Sequence, residues 1–449
     1  MQVNNKRLKN SLTREQKEAV GLLSIGTFLE YFDLMLYVHM AVLLNELFFP
    51  KTDPFTSSLL SAFAFCSTYL LRPFGALLLG YIGDNLGRKV TIIISTGIMA
   101  LSCVVMANVP TYAQIGITAS WIVTICRILQ GLSSLGEIVG AEIYLLETLK
   151  PPYVYPMVCV VIVFSALGGT AALGIATLST SLNFDWRLAF WFGAGVALIG
   201  IVARTTLRES RDFVDVQNRL KNTFDVVDID TKELESSPIW KKHTDKRVIL
   251  SYFIMECTSP IYFYINYIYC SDILKLLGLS SSSIIQHNFV LSGVNLLNAI
   301  ILTVLVSRIH PIKVLHYKFI LFVPFMLIYP FLLTMVNSEL QLFMWQIVFT
   351  LLGCTAFPAN PVIFKYFPIL RRFTTSTLTF AIAKAFTYGI TAFGTIYLFK
   401  LFNHVGLLIL LVPVNIGYFF ALNFFKKLEI QASSYDYFLD KKIPASGTY

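Results

Sequence analysis

Several long apolar runs of this chain are interrupted by ionisable side chains, and those side chains are the candidates for chemistry. Glu30 and Asp33 stand three residues apart in the first run, a spacing that puts both on one face of a helix. Two close carboxylates resist joint ionisation, so the pair tends to keep a proton between them. That suits a group that loads a proton on one side of a barrier and releases it on the other; a structural ion pair with a basic neighbour is the plainer reading. Tyr37, four residues on, could hydrogen-bond the pair. Arg72, followed by Pro73, lies inside the second run. A guanidinium keeps its charge and can grip a carboxylate through two parallel hydrogen bonds, so Arg72 could hold an anionic substrate or neutralise Glu30 or Asp33. Arg127, Gln130 and Glu137 share the fourth run, and Glu256 and Lys384 are the charges within runs of the second half. The last two, of opposite sign, could pair with each other. Lys384 could instead read an anion, and Glu256 could face a watery path. At bilayer depth an ionisable group costs a few kcal/mol, so it usually faces a cavity or a partner.

The runs holding these residues are membrane-spanning helices in this reading. Of 449 residues 56% are hydrophobic and 14% charged, more apolar surface than a soluble domain hides. The runs are of about 20 residues, the length of a spanning helix and not of a barrel strand. Twelve spans are expected, near 19–48, 57–82, 90–109, 112–147, 154–180, 187–207, 247–270, 283–306, 314–336, 340–365, 373–400 and 405–425. The fold class is thus all-α and polytopic, with an N-tail (1–18), a first six-helix bundle (19–207), a polar linker (208–246), a second bundle (247–425) and a C-tail (426–449). The tail residues Lys6, Arg7, Lys9, Arg14 and Lys17 fall on the same side as Arg88, Lys89, the linker, Arg308 to Lys318, Arg371, Arg372, Lys426 and Lys427. The other side holds little beyond Lys51, Arg187, Lys275 and Lys400. The positive-inside rule then puts both termini in the cytoplasm, and the net charge of +9 reflects these loops and not nucleic-acid binding. The N-terminus lacks the features of a cleaved signal. The seven cysteines show no metal spacing and read as packed thiols. The aromatic string Tyr262–Tyr269 could line a gate or cavity, though an interfacial belt is the favoured reading. The segment Phe357–Pro361, FPANP, should break or kink the tenth span.

Between the second and third spans lies GYIGDNLGRKV, Gly80 to Val90. Gly80, Gly83 and Gly87 allow tight turning, and Asp84 beside a helix N-terminus could latch two bundles in one conformation. A loop that only sets topology is the alternative. The stretch resembles the major facilitator superfamily signature G-x-L-x-D-R-x-G-R-K, matching at Gly80, Asp84, Gly87, Arg88 and Lys89, with Ile82 and Asn85 in place of Leu and Arg. Gly26–Tyr37, Leu70–Gly80, Arg127–Glu147, Asp185–Trp191 and Phe367–Ser376 resemble in order one branch, the metabolite:proton symporters, which includes proline/betaine, α-ketoglutarate, citrate and shikimate carriers. The resemblance implies a conformational role for Arg127 and Gln130. It is thinner in the second half. Ser307–Val314 lacks the Asp and the G-R-R that the family repeats there, Tyr155–Pro156 replaces an Arg-Gly, Leu135 stands for a Gly, and Glu142 and Lys384 are charged where the family is neutral.

The reading that follows is secondary active transport: two bundles rocking about a midplane site, with import of a small carboxylate-bearing metabolite, an organic acid or a zwitterion such as proline or betaine, by proton symport. No nucleotide-binding G-x-x-x-x-G-K-[ST] is present, and span five lacks the Gly-Pro that antiporters of this superfamily carry. A transport-deficient sensor derived from such a carrier is the alternative. An intramembrane enzyme would need a paired catalytic set, and there is no H-E-x-x-H. The expected partners are solute, proton and lipid, with no cofactor and no metal, in a monomer of a bacterial inner membrane.

Overall fold

The computed structural model describes residues 12–50, 62–63, 65–86, 88–133, 135–181, 185–205 and 245–432, and these form helices and connections with no strand among them. In chain order the helices are α1 (Arg14–Phe48), α2 (Arg72–Asn85, preceded by a helical stretch at 65–70), α3 (Arg88–Asn108), α4 (Ile117–Thr148), α5 (Val154–Ser181) and α6 (Arg187–Thr205). The second set is α7 (Lys246–Leu276), α8 (Ser281–Val306), α9 (Pro311–Thr334), α10 (Glu339–Phe364), α11 (Arg372–Phe402) and α12 (Leu407–Gln431). Helix α1 starts earlier than its apolar run because its charged first turn is itself helical, tied by an Arg14–Glu18 pair at 2.9 Å.

Side chains supply the hydrogen bonds that helix ends lack. Asp245 accepts the Arg247 N–H at 2.8 Å before α7, Ser280 that of Ser283 at 3.2 Å before α8, and Ser338 that of Gln341 at 3.3 Å before α10. Gly278, at φ +87°, turns the chain from α7 into α8. Two helices are interrupted. Residues Tyr264–Tyr269 of α7 form a π turn. Helix α10 unwinds after Leu352, passes through a 3₁₀ turn at Phe357–Ala359 and resumes at Asn360–Phe364, where Pro358 and Pro361 contribute no N–H.

Helices α1–α6 form one bundle and α7–α12 the other. Within the first, α1 lies along α5 and α3 along α6; between the bundles, α5 runs against α8 and α2 against α11. Glycine allows the closest of these approaches. A Cβ on Gly131 of α4 would collide with the Thr68 carbonyl, and one on Gly168 of α5 with that of Phe28. Large apolar side chains point outward along the rim, including Leu188, Trp191 and Phe192 of α6, Ile320 and Leu321 of α9, and Ile416 and Phe420 of α12. A soluble monomer does not expose such a continuous girdle; lipid covers it. Among the described residues eight stretches are long and apolar enough to cross a bilayer, the last of them, Arg372–Gln431, holding both α11 and α12, and three shorter apolar helices accompany them. The protein is a multi-pass integral membrane protein with twelve helices in two six-helix bundles.

The structure corrects one sequence expectation here. The aromatic string of α7 is no interfacial belt: Tyr262, Tyr264, Tyr267 and Tyr269 are all buried. All seven cysteines are buried and free.

Candidate functional site

A cavity of about 250 Å³ lies between the bundles, lined from the middle of α1, α5, α7, α8, α10, α11 and the helical stretch around Tyr69. Its charged lining residues, among those described, are Arg72 and Lys384; no carboxylate lines it. Arg72 is 5% exposed, its guanidinium 4.4 Å from the Tyr69 ring centre. Tyr69 stacks at 4.1 Å on Tyr388 of the other bundle, and Phe65 packs against both. The Arg72 Nε and Nη2 are buried and make no hydrogen bond to any described residue. Donors in that condition are costly unless a ligand takes them up. Lys384 differs. Its Nζ donates to Ser259 Oγ at 2.8 Å and stands 3.3 Å from the Glu256 carboxylate, so its charge is already matched. Glu256 pairs with Lys384 from behind and is absent from the described lining.

The α7 π turn brings Asn266 to the cavity. Its Nδ2 donates to Thr350 Oγ1 at 2.7 Å, and its carbonyl accepts Gln346 Nε2 at 2.7 Å, a bond of the kind a widened helix needs. Its Oδ1 is buried with no partner. The lining therefore offers strong donors from one bundle, a vacant acceptor from the other, and aromatic faces around them.

Glu30 and Asp33 occupy a different chamber, inside the first bundle, walled by Leu29, Ser95, Thr96, Met99, Ser133 and Ala197. They are 4% and 1% exposed. The Asp33 carboxylate rests on Gly193 of α6, where a Cβ would overlap Oδ1. Cys103 sits against Asp33 and receives Gln130 Nε2 at 3.8 Å, and Gln130 Oε1 accepts Arg127 Nη1 at 3.3 Å. The spacing of Arg127 and Gln130 on α4 thus aims both at the chamber holding Asp33. Tyr31, next to Glu30 in the chain, lines the cavity and feels the charges of both Glu30 and Arg72.

On the face carrying the basic loops, side chains tie the bundles together. Glu147 of α4 meets Arg372 of α11 at 3.3 Å. Asn360 of α10 donates to Glu142 of α4 at 2.8 Å. Tyr155 packs edge-on against His310. His310 belongs to the turn that lacks the family's Asp and G-R-R, and another cluster stands there. His310 Nδ1 caps α9 by accepting the Ile312 N–H at 3.3 Å, while Nε2 faces Glu429 at 3.3 Å. Glu429 also takes Lys365 at 2.6 Å and the Tyr366 hydroxyl at 2.5 Å.

Of the latch residues named from sequence, Gly80 and Asp84 belong to α2 and Arg88 and Lys89 open α3. The side chains of Asp84, Arg88 and Lys89, those of Tyr37 and Glu137, and Gly87 altogether lie outside the described residues. Sequence reasoning missed Tyr31, Tyr69, Tyr388, Asn266, Asn360 and Gly193. Only Asn266 and Asn360 left a trace, as polar residues inside an aromatic string and between two prolines.

The family model of the Major Facilitator Superfamily matches residues 23–389. The inner membrane metabolite transport protein YhjE of Escherichia coli K12 is 32% identical over 253 residues, 55% of each chain. The proline/betaine transporter of Salmonella typhimurium is 29% identical over 213 residues, 46% of this chain and 42% of that one. The citrate-proton symporter of Klebsiella pneumoniae is 30% identical over 209 residues, 45% and 47% respectively. The matches span about half the length of these relatives. Among solved structures, a proton:xylose symporter bound to 6-bromo-6-deoxy-D-glucose superposes with a TM-score of 0.70 at 15% identity, covering 92% of this chain and 95% of that one. The human organic anion transporter TETRAN gives 0.66 at 15% identity, covering 92% and 100%. These two speak to the fold. The relatives matched in sequence are transport proteins of the metabolite, proline/betaine and citrate–proton kind, not enzymes, and with the family model matching most of its length this chain belongs to the Major Facilitator Superfamily.

Proposed function

We propose that this protein imports a small metabolite bearing one carboxylate, together with protons, by alternating exposure of the cavity between its bundles. The observation that carries the reading is Arg72, a buried guanidinium at the cavity wall with two donor nitrogens unmatched. A carboxylate fits that fork. Lys384 carries a matched charge, so among the described residues Arg72 is the cation the cavity offers, which favours a single carboxylate over a tricarboxylate. The vacant Asn266 Oδ1 and the faces of Tyr31, Tyr69 and Tyr388 suit a cationic nitrogen on the same solute. A zwitterion of the proline or betaine kind matches both ends, and the similarity to proline/betaine transporters supports it.

Proton coupling is assigned to Glu30 and Asp33, which lie in a chamber apart from the cavity, with Asp33 linked to helix α4 through Cys103, Gln130 and Arg127. The basic face is the cytoplasmic one under the positive-inside rule, with both termini on it, in a bacterial inner membrane. The contacts Glu147–Arg372 and Glu142–Asn360 hold that face together and part when the cavity opens inward.

The test is uptake in proteoliposomes under an imposed pH gradient, with labelled proline, betaine, α-ketoglutarate and citrate. Proline or betaine should accumulate, and the accumulation should collapse with the gradient. Preference for citrate would overturn the single-carboxylate reading; accumulation that ignores the gradient would overturn proton coupling.

A further inference from the structure

Glu142 is a buried acid that the reading above leaves without a task. It lies on α4 and is 1% exposed. One oxygen accepts the Asn360 amide of the other bundle at 2.8 Å; the other is buried with no hydrogen bond. Among the described residues no cation stands within ion-pair distance of it. The ionisable and polar groups acting on it come from every element around it: Tyr31 of α1, Cys159 of α5, Tyr252 and Glu256 of α7, Asn360 of α10 and Lys384 of α11. The charged groups acting on Glu142 itself are Glu256 and Lys384, while Arg72 at the cavity wall acts on Lys384 and Tyr31. Lys384 sits 3.3 Å from Glu256, which leaves Glu142 as the surplus acid. No described cation pairs with Glu142, and an unmatched charge buried at this depth is costly. The site also joins the two bodies that must separate: Glu142 belongs to the first bundle, Asn360 to the second, and the break in α10 presents the Asn360 side chain.

We propose that Glu142 is a proton-carrying carboxyl of the transport cycle, loaded while it accepts the Asn360 amide across the bundle interface and emptied when that interface opens on the basic face. On opening, the Asn360 contact breaks and water enters. The carboxyl O–H bond breaks and its proton passes to that water, leaving a hydrated carboxylate. A proton arriving through the cavity from the opposite side reloads it before the bundles close. The inference rests on the symport reading, and adds a carrier outside the Glu30–Asp33 chamber.

Infrared spectroscopy of the full chain in lipid at neutral pH tests the loaded state without any solute. The wild-type minus Glu142→Gln difference should contain a protonated-carboxyl C=O band. Absence of that band overturns the proposal, whatever the substrate proves to be. Gln keeps an acceptor for Asn360, and a melting temperature near wild type confirms that the variant folds. Should it melt early, Asn360→Ala replaces it: the wild-type band should then shift to that of a carboxyl without an amide donor, and an unshifted band overturns the proposal. With a transported solute in hand, the proton-to-solute ratio supplies the second reading. At a gradient of about one pH unit each coupled proton multiplies accumulation about tenfold, so Glu142→Gln should lose about that factor. Unchanged accumulation and proton flux overturn the assignment of Glu142 while leaving symport through Glu30 and Asp33 standing; gradient-independent uptake by the wild type overturns the symport reading instead.

Discussion

At the scale of single residues, the cavity is defined by which charges have partners. Lys384 has Ser259 and Glu256; Arg72 has the Tyr69 ring and two unmatched nitrogens. Arg72→Lys keeps the charge and removes the planar fork. Solute affinity in that variant should fall at least about tenfold, the worth of one charge-assisted hydrogen bond, with folding intact by thermal melting. An affinity equal to wild type would take Arg72 out of the solute site. Gly193 acts by what it lacks. An alanine there pushes its Cβ into Asp33 Oδ1, so Gly193→Ala should cost about 1–3 kcal/mol of stability and cut gradient-driven accumulation sharply. Wild-type stability with wild-type accumulation would show that the Asp33 carboxylate does not need that notch.

At the scale of elements, the interrupted helices do the positioning. An unbroken α7 would leave the Asn266 carbonyl in its own ladder; the π turn hands it to Gln346 and swings the side chain to the cavity. An unbroken α10 would leave Asn360 in a regular turn; the break after Leu352 puts it across from Glu142. The turn before α9 is held to α12 by the Glu429 cluster, in the last turn of α12, beyond the Lys426–Lys427 pair that ends the apolar stretch. Burial by itself would push the Glu429 carboxyl up, but hydrogen bonding from His310, the charge and hydrogen bond of Lys365, and the Tyr366 hydroxyl outweigh it and hold it down at about 2. A depressed carboxylate stabilises the fold above its unfolded value and loses that contribution as pH falls through the folded one. The wild type should therefore lose melting temperature between about pH 4.5 and 2, and Glu429→Gln should start lower at neutral pH and change less across that window. Parallel profiles for the two proteins would contradict the cluster's role.

At the scale of the molecule, the two bundles make one machine only if their contacts on the basic face can be undone. The Glu147–Arg372 pair is buried, and removing one partner of a buried pair costs about 3–5 kcal/mol. Arg372→Gln should therefore favour the state in which that face is open and Glu147 is hydrated. Spin labels at the exposed positions 150 and 308, one on each bundle, should report longer separations in the variant. An unaltered distance distribution would mean that the pair does not hold the face shut.

The sequence alone determined that this chain lives in lipid, crosses it with helices, and carries acids and bases at depth. Composition and run length do not depend on how helices pack, and the order of motifs from Gly26 to Ser376 marked the family. It could not say which charge meets which. Glu30, Asp33 and Arg72 look alike on paper, as ions in apolar runs, but the rotation of α1 turns the two acids into the first bundle and the turn before α2 points Arg72 between the bundles. The belt reading of Tyr262–Tyr269 failed for the same reason: composition reports affinity for an interface, while the packing of α7 against its neighbours decides which way a ring faces. Gly193 carries no signal in one dimension, and Asn360 shows only as a polar residue between two prolines, because their roles exist against Asp33 and Glu142, 160 and 218 residues away. Chemistry at a site between two bundles is a property of distances, and those are fixed by packing.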